Sequence, residues 1–349
     1  MLTIDGSKGE GGGQVLRTSL SLSALTGRPF RLEHIRAGRS KPGLRPQHLT
    51  AVRAAAAVCQ AELSGDEIDS RTLEFRPQSK PQGGEYAFDV RDAAPRGLSA
   101  GSMTLVLQTL LWPLLFAETE SKLILRGGTH VPFSPSFDYV NKVGRPNLAR
   151  FGADFDLELH QWGWMPKGEG EFTAVIRPLR KLEAVRFSHQ PIETVQGEAV
   201  VTNLPGHIPH RMSRRAYNLL TEAGLHAAVQ ALRLKSEAPG AATLLWLPQA
   251  GFSSLGEKGK AAQTVAEEAV RDLLVFERSH TAVDVHLADQ LLLPMALAQG
   301  VSYYSTEALS LHTLTNAALL QQWLEVDIHI TGSQDHSGTA EVHGMGFSR

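Results

Sequence analysis

The chain lacks the features that stabilise secreted proteins or anchor proteins in membranes. It has one cysteine, Cys59, among 349 residues, so no disulfide can form within the chain. The longest apolar stretch, residues 104–117, is too short to span a bilayer and contains Gln108 and Pro113. No secretory signal pattern opens the chain. We therefore expect a cytoplasmic protein with no membrane partner.

An excess of charge of either sign is also missing, because the formal net charge is −2. Residues 1–60 nevertheless carry nine Lys and Arg against three Asp and Glu, a net charge of +6. Acidic residues are absent from residues 35–53, IRAGRSKPGLRPQHLTAVR, which contain five Arg and Lys. This concentration of charge favours a local anionic ligand, a phosphate or a nucleic acid, over a solvated charged loop.

A glycine-rich turn lies near the N-terminus, where residues 9–14 read GEGGGQ and an apolar-periodic helix follows. Glycine lets the backbone approach a ligand closely, and the N–H groups at a helix N-terminus suit a phosphate. Glu10 is a candidate metal ligand, and Arg17 is placed to reach a phosphate oxygen. The alternative is a mobile turn, since the motif is neither GxGxxG nor GxxxxGK[ST].

The length and a hydrophobic content of 42% predict a large core and about two domains. Strand patterns alternate with helix patterns, and glycine turns near residues 9–13, 83–84, 127–128 and 168–170 mark a weak repeat of small α+β units. Residues 182–278 differ, with a strand predicted at 192–201 and helices at 210–232 and 258–276. We expect one domain from residues 1–181 and 279–349 and a smaller α+β domain inserted at 182–278.

The C-terminal third contains polar residues inside apolar patterns. Asp289 and Gln290 interrupt the predicted helix HLADQLLLPMALAQG at residues 286–300. Buried polar groups need partners, so this pair either ties down a neighbouring turn or recognises a ribose or base. His312 lies in SLHTLTN, one of 14 histidines, and residue chemistry alone does not single it out. A neutral imidazole can attack an activated phosphorus.

The chain resembles the RNA 3′-terminal phosphate cyclase family over nearly its whole length. Six motifs in order carry the resemblance: DGSKGEGGGQVLR at 5–17, IRAGRSKPGLRPQHL at 35–49, SAGSMTLVLQT at 99–109, GGTHVPFSP at 127–135, LADQLLLPMALA at 287–298 and HTLTN at 312–316. The resemblance implies an α+β fold, a large domain of repeated βα units with a smaller inserted α+β domain. It also implies an ATP-dependent ligase-class enzyme that converts an RNA 3′-phosphate to a 2′,3′-cyclic phosphodiester through a histidine–AMP intermediate and an adenylylated RNA end.

The same resemblance implies roles for individual residues. His312 falls on the family's nucleophile, and Glu10 falls on the residue that contacts a divalent metal, Mg²⁺ or Mn²⁺. Four residues match those that hold phosphates: Arg17, Arg36, Arg39 and Gln47. Six match positions around the nucleotide: Gln108, His286, Leu287, Ala288, Asp289 and Gln290.

The chain departs from the family at two positions. His286 stands where the family commonly has tyrosine, and its smaller ring offers less surface for stacking on adenine. Glu169 stands in place of a glycine in a turn. Two other functions remain open: a non-catalytic cyclase-like protein that binds RNA or acts in ribosome assembly, and an enolpyruvate transferase built from related units. His312 argues against the first, since such relatives lack the histidine, and the basic loop argues against the second.

Overall fold

The computed structural model describes residues 1–95 and 97–349. The described residues form four small sheets, three mixed and one with only antiparallel pairs among its named strands, each associated with helices. The expectation of an α+β fold is confirmed at this level. No helix in the described part of the chain is long and apolar enough to cross a membrane.

The first sheet contains the N-terminal strands. Its elements, in chain order, are β1 (Leu2–Asp5), α1 (Gln14–Thr26), β2 (Phe30–Glu33), α2 (Pro46–Cys59), β3 (Glu62–Ser64) and β4 (Leu73–Arg76). The strand order is β1-β2-β4-β3. β1 and β2 are parallel, as expected of strands joined by a crossover helix, and the other pairs are antiparallel.

The second sheet has the same arrangement. Its elements are β5 (Glu85–Asp89), α3 (Met103–Leu115), β6 (Ser121–Gly127), α4 (Phe137–Tyr139), α5 (Arg145–Ala149), β7 (Asp154–Gln161) and β8 (Gly170–Arg177). A 3₁₀ turn at Val90–Ala93 precedes α3, and a π-helical turn at Val140–Gly144 joins α4 to α5. The order β5-β6-β8-β7 has one parallel pair followed by antiparallel pairs, as in the first sheet.

A third group of elements forms a sheet with its own core. It comprises β9 (Val195–Thr202), α6 (His207–Glu222), β10 (Ala227–Leu234), β11 (Gly240–Leu247), β12 (Ala250–Leu255) and α7 (Ala262–Ser279). The strand order is β10-β9-β11-β12, with β10 at an edge. Apolar residues of α6 and α7 pack on one face of the sheet and form a separate hydrophobic cluster.

The last sheet contains chain segments that precede the β9–α7 group and segments that follow it. α8 (Val285–Leu297), β13 (Gln299–Thr306), α9 (Leu311–Trp323), β14 (Asp327–Thr331) and β15 (Gly338–Met345) follow α7. The strand order is β13-β15-β14. Residues 182–187, which precede β9, run parallel to β13: Gln299 donates to the Leu182 carbonyl, and Tyr303 to that of Val185. The chain thus leaves this sheet, forms the β9–α7 group and returns.

The helix predicted over residues 210–232 is wrong in its second half. α6 ends at Glu222, and β10 occupies Ala227–Leu234. Gly224 adopts a φ of +82°, a conformation that favours glycine and ends the helix. The alternating pattern that follows suits the edge strand, where residues on one face contact α6 and those on the other are exposed.

Cys59 is fully buried in the largest hydrophobic cluster. Burial raises the pKa of its thiol to about 12, so it is not a thiolate near neutral pH. The sequence-based view of Cys59 as an inert core residue is confirmed.

The start of α8 depends on two carboxyl groups, one buried and one half-buried. Asp284 is the N-cap and accepts hydrogen bonds from the backbone N–H groups of His286 and Leu287. It also accepts from the Tyr139 hydroxyl and the Gly251 N–H, so it ties α8 to α4 and β12. Glu307 accepts from the Val285 N–H at 3.1 Å. Burial and the proximity of Asp284 raise the pKa of Glu307 to about 7.

We predict that Glu307→Gln stabilises the protein at pH 8 and has little effect at pH 4.5. The folded state binds the Glu307 proton more tightly than the unfolded state, whose pKa is near 4.5, so stability falls as the pH rises from about 4.5 to about 7. Glutamine is neutral at all these pH values and removes up to about 3 kcal/mol of penalty. Denaturant unfolding of both proteins at the two pH values measures the difference in their free energies of unfolding. An equal difference at both pH values would contradict a raised pKa of Glu307.

Candidate active site

The glycine-rich loop packs directly on the first turn of α9. The Glu10 N–H donates to the Thr315 hydroxyl at 2.9 Å. A Cβ at Gly9 would collide with the same hydroxyl, and Gly9 has a φ of +64°. Only glycine allows this approach. Residues from the two ends of the chain therefore meet at one place.

His312 lies at this contact. It is the second residue of α9, whose N-cap Ser310 accepts from the Thr313 N–H. Its Nε2 lies 3.7 Å from a carboxylate oxygen of Glu10, and Glu10 also forms an ion pair with Arg39. The Glu10 side chain is 7% exposed, whereas that of His312 is 44% exposed. The histidine is therefore accessible to a ligand, and the carboxylate lies behind it.

The electrostatics keep His312 neutral. Burial lowers its pKa below the ordinary 6.5, Asp289 opposes this shift, and Arg17 and Arg39 add to it. The free N–H groups of the first turn of α9 also disfavour a cation at this position. A neutral imidazole with an accessible Nε2 is the form that can act as a nucleophile.

A chain of hydrogen bonds joins α1 to α8 beside His312. The Gln14 amide donates to Asp289 at 2.9 Å, and Arg17 donates to the Gln14 oxygen at 3.2 Å. Asn316 connects the same helices, accepting from Thr18 and donating to the Asp289 carbonyl. Burial lowers the pKa of Arg17 to about 10 and raises that of Asp289. Arg17 therefore remains charged at neutral pH in a site where an anion would be bound strongly.

The basic loop before α2 supplies further cations in two different ways. Arg39 points towards Glu10, whereas Arg36 donates from one nitrogen to the carbonyls of Lys41 and Gly43. Arg36 therefore also holds the loop in shape. Gln47 on α2 accepts from the Ser102 N–H at 2.9 Å and fixes the N-terminus of α3 beside α2.

His48, for which the sequence predicts no role, faces the same space. Its Nδ1 accepts from the Arg45 N–H at 3.3 Å, so the ring proton is assigned to Nε2. Burial, followed by Arg36 and Arg17, holds the pKa of His48 well below 6.5. A Cβ at Gly13 would lie 2.7 Å from His48 Nε2 and 2.8 Å from Arg17. Gly13 thus leaves open a space lined by two donors at the start of α1. The absence of acidic residues around RPQHL was the only sequence signal that His48 belongs to the site.

The remaining predicted residues lie around this centre. His286 is exposed on α8, with its ring edge-on to Tyr139 at 6.3 Å, and Gln290 donates to the His286 carbonyl. Leu287 and Ala288 are fully buried, so their side chains belong to the core. Gln108 is half-buried on α3, and no hydrogen bond of its side chain connects it to the other predicted residues in the described part of the chain.

Within residues 1–95 and 97–349, no group of three or more His, Cys, Asp or Glu side chains is arranged to hold a metal ion. The single carboxylate of Glu10 at the site is nevertheless compatible with Mg²⁺. This ion is commonly bound through one or two carboxylates, with substrate phosphates and water completing its coordination.

Comparison with known proteins identifies the family of the chain. The family model of RNA 3′-terminal phosphate cyclase matches residues 8–330, and the chain belongs to that family. A curated RNA 3′-terminal phosphate cyclase from Gloeothece citriformis is 49% identical over 337 residues, 95% of this chain and 96% of that protein. A second one, from Methylococcus capsulatus, is 47% identical over 99% of this chain and 97% of that protein. The expected family and enzyme class are confirmed.

A solved structure is also similar, the enolpyruvyl transferase NikO from Streptomyces tendae. It has a TM-score of 0.38 and 11% identity, covering 99% of this chain and 49% of that one. A likeness of this size carries no functional argument.

We predict that Gly13→Ala weakens phosphate binding without unfolding the protein. Gly13 has an ordinary φ of −83°, so the backbone accepts alanine, but the new methyl group meets His48 and Arg17. We expect the Kd for ATP to rise about tenfold, a loss near 1.4 kcal/mol. Calorimetric titration measures the affinity.

Gly206→Ala is the matched control. Gly206 is also a helix N-cap with negative φ, −62°, and its nearest neighbour is a flexible arginine methylene at 3.5 Å. Its affinity for ATP should equal that of the wild type. Equal losses in the two variants would indicate a general cost of alanine at helix N-caps and remove Gly13 from the site.

Proposed function

We propose that this protein uses ATP to convert the 3′-terminal phosphate of RNA into a 2′,3′-cyclic phosphodiester, with His312 as the nucleophile. The observation that carries the proposal is the meeting of neutral His312, buried Glu10 and Arg39 at two helix N-termini. The curated relatives named for this activity match nearly the full length of the chain.

In the first step, the lone pair of His312 Nε2 forms a bond to the α-phosphorus of ATP, and the bond to pyrophosphate breaks. Arg17 and Arg39 would hold phosphate oxygens, because guanidinium groups donate two hydrogen bonds while keeping their charge. His48 Nε2–H would add a neutral donor. Glu10 would hold a divalent metal, Mg²⁺ or Mn²⁺, which offsets the negative charge of the leaving group.

In the second step, an oxygen of the RNA 3′-phosphate attacks the same phosphorus and His312 leaves. The adjacent 2′-hydroxyl then attacks the terminal RNA phosphorus, AMP leaves with the bonding electrons, and the hydroxyl proton passes to solvent. The two reacting groups belong to one ribose, and such proximity can lower the activation free energy by up to roughly 7–11 kcal/mol. Arg36 and Gln47 would orient the RNA phosphate.

The nucleotide would lie along α8, beside Asp289 and Gln290. Gln108 and the backbone of Leu287 and Ala288 would line the same pocket, and His286 would contact the base. Because His286 is an exposed imidazole, we expect weaker stacking on adenine than a tyrosine would provide.

For the architecture, we infer a large cytoplasmic domain of repeated α+β units, residues 1–181 and 279–349, and an inserted domain at 182–278. The shared order of the first two sheets and the separate core of the β9–α7 group support this division. The pairing of residues 182–187 with β13 favours an insertion that begins a few residues later, near residue 188.

We predict that wild-type protein incubated with α-labelled ATP and magnesium becomes radiolabelled and that His312→Ala does not. The label should survive alkali, be lost in acid as expected of a phosphoramidate, and be discharged by RNA with a 3′-phosphate. His226→Ala, which changes another exposed histidine, should label like the wild type. Label on His312→Ala would place the nucleophile elsewhere, and absence of label from all three proteins would favour the non-catalytic RNA-binding function.

We also predict that Glu10→Gln raises the magnesium concentration needed for half-maximal labelling, by about fivefold or more, because it removes the charged metal ligand. Calorimetry should show that ATP without metal binds the variant at least as well as the wild type. Glu120→Gln, an exposed carboxylate elsewhere, is the control. An unchanged magnesium requirement would exclude Glu10 as the metal ligand.

A further inference from the structure

Basic charge is concentrated outside the site as well as within it, although the net charge of the chain is −2. Residues 1–60, with a net charge of +6, include the site described above. Residues 203–235 carry five Lys and Arg and one Glu, a net charge of +4, so the remaining residues together carry −12. The second basic stretch corresponds to α6 and β10, outside the site.

The basic residues of α6 lie on its solvent-exposed face. Pro209, Met212, Ala216 and Leu220 form the buried face. On the opposite face, at helical spacing, exposed residues follow one another: His207, His210, Arg211 and Arg214. Tyr217, 49% exposed, continues this face.

These charges are not neutralised within the chain. Arg215, at the side of the helix, pairs with Glu267 at 2.7 Å, and Arg211 donates to the neutral amide of Gln263. In the described part of the chain, no carboxylate lies within 4 Å of a charged nitrogen of Arg211, Arg214 or Arg233. A solvated helix face commonly alternates charges of both signs, whereas residues 207–217 of this helix include no acidic residue.

The β10 edge connects this face to the rest of the molecule. Arg233 and Lys235 are exposed at the end of β10. The next residue, Ser236, donates to the Trp162 carbonyl at 2.6 Å, in the turn between β7 and β8. A cleft of about 300 Å³ lies beside this turn and is lined by charges of both signs, among them Arg91 and Glu237.

The same turn leads back towards the site. A Cβ at Gly168 would lie 2.6 Å from the Ser99 carbonyl, just before the start of α3. Ser102, at that start, donates to Gln47. Neighbouring contacts therefore extend from α6, around the edge of the third sheet, to Gln47 at the start of α2.

We propose that α6 and the β10 edge bind the sugar–phosphate backbone of RNA upstream of the reacting 3′ end. This inference rests on the proposed function, because it takes RNA as the substrate. Arg211, Arg214, Arg233 and Lys235 contact phosphates, and Tyr217 provides a ring on which a base stacks. The surface therefore selects RNAs long enough to reach it, and a short 3′-phosphorylated oligonucleotide uses the site alone.

The test is the double variant Arg211→Ala/Arg214→Ala, with 3′-phosphorylated single-stranded RNAs of 20 and 3 nucleotides. Fluorescence anisotropy without ATP should show Kd for the 20-mer raised about fivefold or more and Kd for the trinucleotide unchanged. The slope of log K against log salt should become less steep by about 0.7 for each lost phosphate contact. Arg214→Glu should weaken 20-mer binding further. Labelling of His312 by ATP should be unchanged in both variants.

Arg271→Ala/Arg278→Ala, which removes two exposed arginines from α7, is the matched control and should bind both RNAs like the wild type. If the α6 variant binds the 20-mer as tightly as the wild type, or if the control loses as much affinity, the proposal is overturned. Failure of the wild type to become labelled would instead contradict the proposed function, so the two failures are distinguishable.

Discussion

The approach of the glycine loop to the first turn of α9 is the contact on which the site depends. It joins residues 305 positions apart through one backbone hydrogen bond, from Glu10 to Thr315. A side chain at residue 9 would separate the two segments, and Glu10 would lose its position behind His312. The candidate nucleophile and the candidate metal ligand therefore owe their proximity to the absence of a Cβ atom.

Charged groups lie half-buried around this contact in the absence of a ligand. Arg17 and Asp289 lie in a medium of low dielectric constant, where burial shifts the pKa of each towards its neutral form. Their link through Gln14 satisfies only part of their hydrogen-bonding capacity. Bound phosphate would accept hydrogen bonds from the remaining N–H groups of Arg17, and donors already in place lose little entropy on binding. Shifted pKa values of this kind cluster at functional sites.

Much of the fold could be predicted from the sequence, because α1 and α2 begin at local signals, the glycine turn and Pro46. The pairing of strands could not be predicted, since residues 182–187 pair with β13, and the β9–α7 group separates the two segments in the chain. The helix predicted through Gly224 is wrong because this glycine adopts a positive φ that ends the helix, although the apolar pattern continues beyond it.

The site was predictable only in part. Glu10 and Arg39 could be proposed from local pattern, and His312 from family resemblance. His48 was missed because its role depends on a tautomer set by the Arg45 backbone and on space left by Gly13, and neither is visible in a linear sequence. Gln14 and Asn316 were missed for a related reason, since their partners lie on other helices.

The interruption of the last sheet affects the order in which the chain can fold during synthesis. Val185 and Ser302, which are hydrogen-bonded, are 117 residues apart. When residues 182–187 leave the ribosome, their partner strand has not been made, and their backbone groups remain unpaired. The β9–α7 group emerges next and has its own apolar cluster, so it can fold while residues 182–187 are still unpaired. The last sheet therefore forms late in the folding of each newly synthesised chain, and the contact that places His312 beside the glycine loop forms with it.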